Sequence, residues 1–187
     1  MASLSEKWAH QLAVHDVIPA EDEALYSYGF RQGAVLLLNI ATMLIIGWLL
    51  GMVKETIVFM LTYLPLRRMA GGYHARTQLR CYLLGILLTT SVLLTVKWLP
   101  WNVYLCSVLL VVASVIILWL APVEDSNKPL DEMEKVYYGK KTGMLMAIEV
   151  VICVGAFGLK WFDVSKIVIS ACVSLSIMLI LGKILPE

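Results

Sequence analysis

The stretch Arg67 to Cys81, RRMAGGYHARTQLRC, places one histidine, one cysteine, four arginines and a Gly-Gly pair between two long apolar runs. Those residue types suit nucleophilic catalysis. A cysteine attacks as its thiolate, and both a helix N-terminus and nearby cations stabilise that form. Cys81 follows Arg80 and opens a long apolar run. The free amides of a first helical turn there would act as roughly half a positive charge. Arg76 and Arg80 add to that field. His74 supplies a base whose unperturbed pKa is about 6.5. A cysteine beside such a base is an activated nucleophile with its proton acceptor. The plainer alternative is that the arginines anchor lipid headgroups and the histidine lies near the cysteine by chance.

Geometry constrains the pair. In one continuous helix, residues 74 and 81 would stand about 10.5 Å apart along the axis. A general base works within roughly 2.6–3.2 Å of its proton, or through one water. The reading therefore requires a break between them, with His74 on an irregular loop and Cys81 near the start of its helix. Gly71-Gly72 fits such a break, because tandem glycine is a poor helix interior. Cys106, Cys153 and Cys172 lie inside apolar runs and read as small hydrophobic residues. They give no extracytoplasmic disulfide framework. No metal is called for, since HExxH and CxxC are absent and His10 and His15 are five apart. No cofactor is implied.

The elements that must carry this stretch are membrane helices. Of the 187 residues, 60% are hydrophobic and 16% charged, with a mean hydropathy of +0.81. Soluble domains carry about 45–50% apolar and about 25% charged residues. The composition fits a single all-α, polytopic membrane domain over 1–187. A net charge of +1 gives no basic field for nucleic acid. Spans are expected over 33–53, 81–98, 101–121, 143–159 and 166–185, since about 17–25 apolar residues cross a bilayer. Segment 56–66 is short and ends near Pro65. It spans only if it continues, tilted or broken, beyond Leu66, and a re-entrant segment is the alternative. With about six crossings and the N-terminus inside, only Lys54, Lys97, Lys160 and Lys166 of the fifteen lysines and arginines fall outside. That is a strong positive-inside bias. Both termini and the Cys81 stretch are then cytoplasmic, with 1–32 an interfacial segment, 67–80 a catalytic segment and 122–142 a loop. No cleavable signal peptide is expected. Leu4, Trp8, Leu12 and Ile18 fall near one face of an N-terminal interfacial helix, and Pro19 opens a second short helix. Glu149 is an intramembrane acid, with a buried polar group such as Asn39 as the expected partner.

The pattern R-x4-G-x-H-x6-C, filled by Arg67, Gly72, His74 and Cys81, resembles the signature of the AgrB family, the accessory gene regulator B membrane endopeptidases of Gram-positive quorum sensing. APVEDSNKPL (121–130) resembles the family's proline-flanked N-K-P-L loop, and YSYGFRQG before the first span also fits. The resemblance implies an enzyme that removes the C-terminal tail of an AgrD-like precursor peptide. Cys81 would attack the scissile carbonyl and His74 would take and return the proton. The thioester would close to a thiolactone or lactone. It also implies a homodimer. Arg67, Arg68, Arg76 and Arg80 would meet the precursor's acidic tail or anchor the bilayer, Gly72 completes the motif, Lys128 would border the peptide groove and Gln78 would donate to the oxyanion. A small transporter or a non-catalytic membrane assembly factor is the alternative, and neither explains a helix-start cysteine beside a histidine.

Overall fold

The computed structural model describes residues 3–73, 77–124 and 130–185. They form seven α-helices and one 3-10 turn. Two compact units meet within the second helix, between Met43 and Leu44.

In the first unit, α1 (Leu4–Val14) opens with a capping box. The Ser3 hydroxyl accepts from the Glu6 amide, and the Glu6 carboxylate accepts from the Ser3 amide at 2.8 Å. Such reciprocal capping satisfies two free donors of the helix end. A 3-10 turn (Ala20–Asp22) after Pro19 leads into α2 (Glu23–Leu49). The sequence suggests a short helix followed by a separate span, yet α2 is continuous. Its Gly29 and Gly33 have open space around them, and isolated glycines cost a helix only about 1 kcal/mol each. Trp8 packs edge-to-face on Phe30, with ring centroids 6.0 Å apart, and His10 Nδ1 lies 3.3 Å from the Glu23 carboxylate. Leu4, Trp8, Val14 and Val17 stay exposed, as an interfacial helix requires, whereas Ile18 is buried.

The second unit holds α3 (Val53–Ala70), α4 (Gln78–Trp98), α5 (Val103–Leu120), α6 (Glu132–Gly158) and α7 (Phe162–Ile184). α7 is central and touches α3, α4, α5 and α6. Its small residues explain this. Ser165, Ser170, Ala171, Cys172, Ser174 and Ser176 are all buried, and small side chains let membrane helices approach closely. Three of their hydroxyls bond carbonyls: Ser165 donates to that of Cys153 on α6 at 3.2 Å, Ser170 to that of Lys166 at 2.8 Å and Ser176 to that of Val173 at 2.7 Å. Phe59, Leu66, Leu93, Ile117, Met146 and Leu175 fill the spaces between helices.

Among the described residues five helices, α2 and α4 to α7, are long and apolar enough to cross a membrane. The chain is thus an all-α polytopic membrane protein. α3 is not among those five by composition, but it runs unbroken past Leu66 to Ala70 with Pro65 inside. Its 18 residues reach about 27 Å at 1.5 Å per residue. Pro65 lies on the exposed face. The opposite face, Thr56, Phe59, Thr62, Tyr63, Leu66 and Ala70, is buried where α3 packs on α6 and α7. Tertiary packing of one face outweighs the weak local propensity.

Candidate active site

The helical break that the His74–Cys81 pairing demands is present. α3 ends at Ala70, and α4 begins only at Gln78 behind its N-cap Thr77. The Thr77 hydroxyl accepts from the Arg80 amide at 3.3 Å, and the Thr77 carbonyl accepts from the Cys81 amide at 3.0 Å. Cys81 is therefore the fourth residue of α4, directly past the capped turn, and its side chain is exposed. The other three cysteines are buried and free, as their apolar surroundings suggest. His74 and Arg76 lie outside the described residues, and so does Lys128.

The chain entering this region is fixed from three sides. Arg67, in the last turn of α3, is half-buried, and its guanidinium donates to the carbonyls of Gly71 and Tyr73. A planar guanidinium suits this double engagement better than an ammonium. The α5–α6 connection supplies the second contact. The Val123 amide donates to the Ala70 carbonyl at 2.9 Å, and Gly71 and Val123 form a parallel bridge. α7 supplies the third, as the Met178 carbonyl accepts from the Tyr73 amide at 2.9 Å. Gly71 and Gly72 have φ of 71° and 114°, a region that residues with a side chain rarely adopt. A Cβ on Gly71 would strike the Val123 carbonyl, and one on Gly72 would strike the Arg67 guanidinium.

The two sequence stretches singled out above, RRMAGGYHARTQLRC and APVEDSNKPL, thus meet at Gly71 and Val123. The second is held further by Glu124, whose carboxylate is 2.9 Å from Lys135 Nζ at the base of α6. That hydrogen bond holds the Glu124 carboxyl below the usual range. Tyr63, one turn before Arg67, is buried on α3 and stacks on Phe59, with ring centroids 5.2 Å apart. Arg68 and Arg80 point away from the core and are exposed, as is Gln78 at the first position of α4.

Glu149 takes no part in this arrangement. It is buried on α6 and bonded to the Thr62 hydroxyl of α3, and its Oε2 has no partner among the described residues. The expected buried polar partner is thus Thr62; Asn39, in the first unit, donates its amide to the Val35 carbonyl of its own helix at 2.8 Å. Sequence reasoning also missed Thr77, Val123 and Met178. Thr77 carried a signal, being a capping residue type just before an apolar helix. The others act through backbone or tertiary position and carried none.

The family model described as Accessory gene regulator B matches residues 5–182. This chain belongs to the AgrB family. It is similar to an AgrB-like protein of Clostridium perfringens (strain SM101, type A), 27% identical over 179 residues that cover 89% of this chain and 82% of that protein. Two AgrB-like proteins of Clostridium perfringens strain 13 (type A) are also similar. One is 30% identical over 48% of each chain, and the other 28% identical over 65% of this chain and 60% of its own. No solved structure matches the chain significantly. Membership of the AgrB family places the protein in agr quorum-sensing peptide processing, as a multi-pass membrane protein whose implied partner is an AgrD-type precursor peptide.

Proposed function

We propose that this AgrB-family protein is a cysteine endopeptidase that removes the C-terminal tail of an AgrD-like precursor and passes the remainder on as a thioester. The observation that carries the reading is the contrast among the four cysteines. Cys81 alone is exposed, and it follows a capped helix start, while Cys106, Cys153 and Cys172 are buried. In this scheme His74 takes the Cys81 proton as sulfur attacks the scissile carbonyl. The tetrahedral intermediate then expels the tail's amine, which receives that proton, and an acyl thioester to Cys81 remains. A cysteine or serine of the precursor attacks the thioester, a thiolactone or lactone forms, and the Cys81 thiol is restored. Excluding water from the acyl-enzyme protects it from hydrolysis, which a site sunk into the inner face of the membrane would do.

Both termini and Cys81 face the cytoplasm in this reading, with α3 as the sixth crossing, as the positive-inside distribution favours. An amphipathic precursor on the inner leaflet then meets Cys81 directly, and its acidic tail meets Arg68, Arg76 and Arg80. Lys128 borders the groove in the second loop, Gln78 donates to the oxyanion, and the working form is a homodimer. The test is mass spectrometry of the full chain in lipid with its cognate precursor, for wild type, Cys81→Ala and His74→Ala. The expected result is the precursor's N-terminal portion attached at Cys81 in wild type, with both variants inert. Cleavage by Cys81→Ala at the wild-type rate overturns the proposal.

A further inference from the structure

The last turns of α7 approach the backbone of the loop that leads to His74. The Tyr73 amide donates to the Met178 carbonyl at 2.9 Å. One turn further on, a Cβ on Gly182 would stand 2.6 Å from Tyr73 N and 2.9 Å from the Gly72 carbonyl carbon. Both atoms are backbone, so a side chain at 182 could not be accommodated by turning a rotamer away. The loop itself has no slack to yield, because Arg67 holds the Gly71 and Tyr73 carbonyls and Val123 bridges Gly71 on another side. α7 is in turn the most enclosed helix of its unit, with Val168, Ile169, Ala171, Cys172 and Leu175 fully buried. That packing reaches Leu179, which is also fully buried, so Met178 and the turn that meets Tyr73 adjoin a well-held stretch of the helix.

We infer that Gly182 is a positioning residue of the peptidase: its missing side chain lets the end of α7 seat the Gly72–Tyr73 backbone and so fixes the segment that presents His74 to Cys81. The inference rests on the reading of His74 and Cys81 as the reacting pair. A substituent at 182 pushes Tyr73 away from Met178 by a sizeable part of an ångström, and a misplacement near 1 Å costs about a hundredfold in rate. The loss falls on kcat, because Gly182 contacts the loop and not the precursor.

The test uses the full chain in lipid and compares wild type, His74→Ala, Gly182→Ala and, as a helix-glycine control, Gly155→Ala, where a Cβ meets nothing within 4 Å. Alkylation of Cys81 by iodoacetamide is followed by mass spectrometry from about pH 5 to about pH 8, the window in which an unperturbed histidine titrates. Gly182→Ala is expected to reproduce the His74→Ala profile and to lose about a hundredfold in precursor kcat, while Gly155→Ala follows wild type. Protection of Cys106, Cys153 and Cys172 reports in the same experiment that the fold is intact. Should Gly182→Ala expose those thiols, Tyr73→Pro, which removes the donor to Met178 and leaves the sequence of α7 unchanged, carries the comparison. A wild-type profile in the folded variant overturns the role of Gly182 and leaves the pair standing. Identical profiles for wild type and His74→Ala overturn the pair itself, and the inference with it.

Discussion

The meeting of the two loops at Gly71 yields a prediction whose size follows from the backbone. Gly71 sits at φ 71°, ψ −144°, close to a region open essentially to glycine alone, where another residue costs about 1–3 kcal/mol. Alanine there also drives its Cβ into the Val123 carbonyl, so the two chains must part. Parting them breaks the 2.9 Å bond from the Val123 amide to the Ala70 carbonyl, which contributes about 0.5–1.5 kcal/mol. Gly71→Ala is therefore expected to destabilise the unit by about 2–4 kcal/mol. Gly51 is the internal comparison. Its φ is also left-handed, at 70°, but open space surrounds it, so Gly51→Ala should cost only about 1–2 kcal/mol. Unfolding in mixed micelles, followed by circular dichroism against a denaturing detergent, measures both. Precursor processing should fall steeply in Gly71→Ala and stay near wild type in Gly51→Ala. Equal destabilisation of the two variants would refute the close approach of Gly71 to Val123, and with it the link between the two loops.

Three further outcomes are expected. Arg67→Lys loses the double engagement of Gly71 and Tyr73, because one ammonium cannot reproduce the planar fork; processing should drop by at least about tenfold. Arg68→Lys, on the exposed face, should process normally, and equal loss in both would discard the clasp. Glu149→Gln keeps an acceptor for the Thr62 hydroxyl without adding charge, so its membrane accumulation and processing should match wild type. Abolished processing with normal accumulation would instead give Glu149 a chemical role. Lys135 lowers the Glu124 carboxyl, so the pair contributes at neutral pH and is lost only as pH falls through that lowered value. Being exposed, it contributes little. Lys135→Glu should slow processing by less than about threefold, and the swap Glu124→Lys in that background should restore it. A loss that the swap fails to reverse would show that Lys135 acts through something other than Glu124.

The sequence carried the membrane architecture because span length and charge distribution are local properties. The runs at 81–98, 101–121, 143–159 and 166–185 lie on α4 to α7 and overrun no helix end by more than two residues. It also carried the helix break between Ala70 and Gln78, since a 3.6-residue repeat cannot bring residues seven apart into contact. It left segment 56–66 open at Pro65, because the penalty for a proline is local while the compensation, burial of Phe59, Tyr63 and Leu66 against other helices, is tertiary. Which helix lies at the centre was nevertheless written in residues 165–176, whose serines, alanine and cysteine mark α7 as the one others can approach. Hydropathy alone ranks that helix below α5, so a search for the most apolar segment misses it.

The least legible part was what holds the candidate site in place. Arg67 reads from sequence as a cation among cations, destined for substrate or lipid. In the fold it donates to two carbonyls of the chain just ahead of His74. Val123, Met178 and Gly182 contribute backbone or empty space, which no residue type announces. Chemistry in such a protein can therefore be recognised from a histidine, a cysteine and their spacing. The precision of that chemistry depends on three segments far apart in sequence, the ends of α3 and α7 and the α5–α6 connection, arriving at Gly71–Tyr73 together. A variant that disturbs any one of the three should impair turnover without touching either reacting residue, and that shared behaviour distinguishes a positioned catalytic pair from a chance neighbour on a basic membrane anchor.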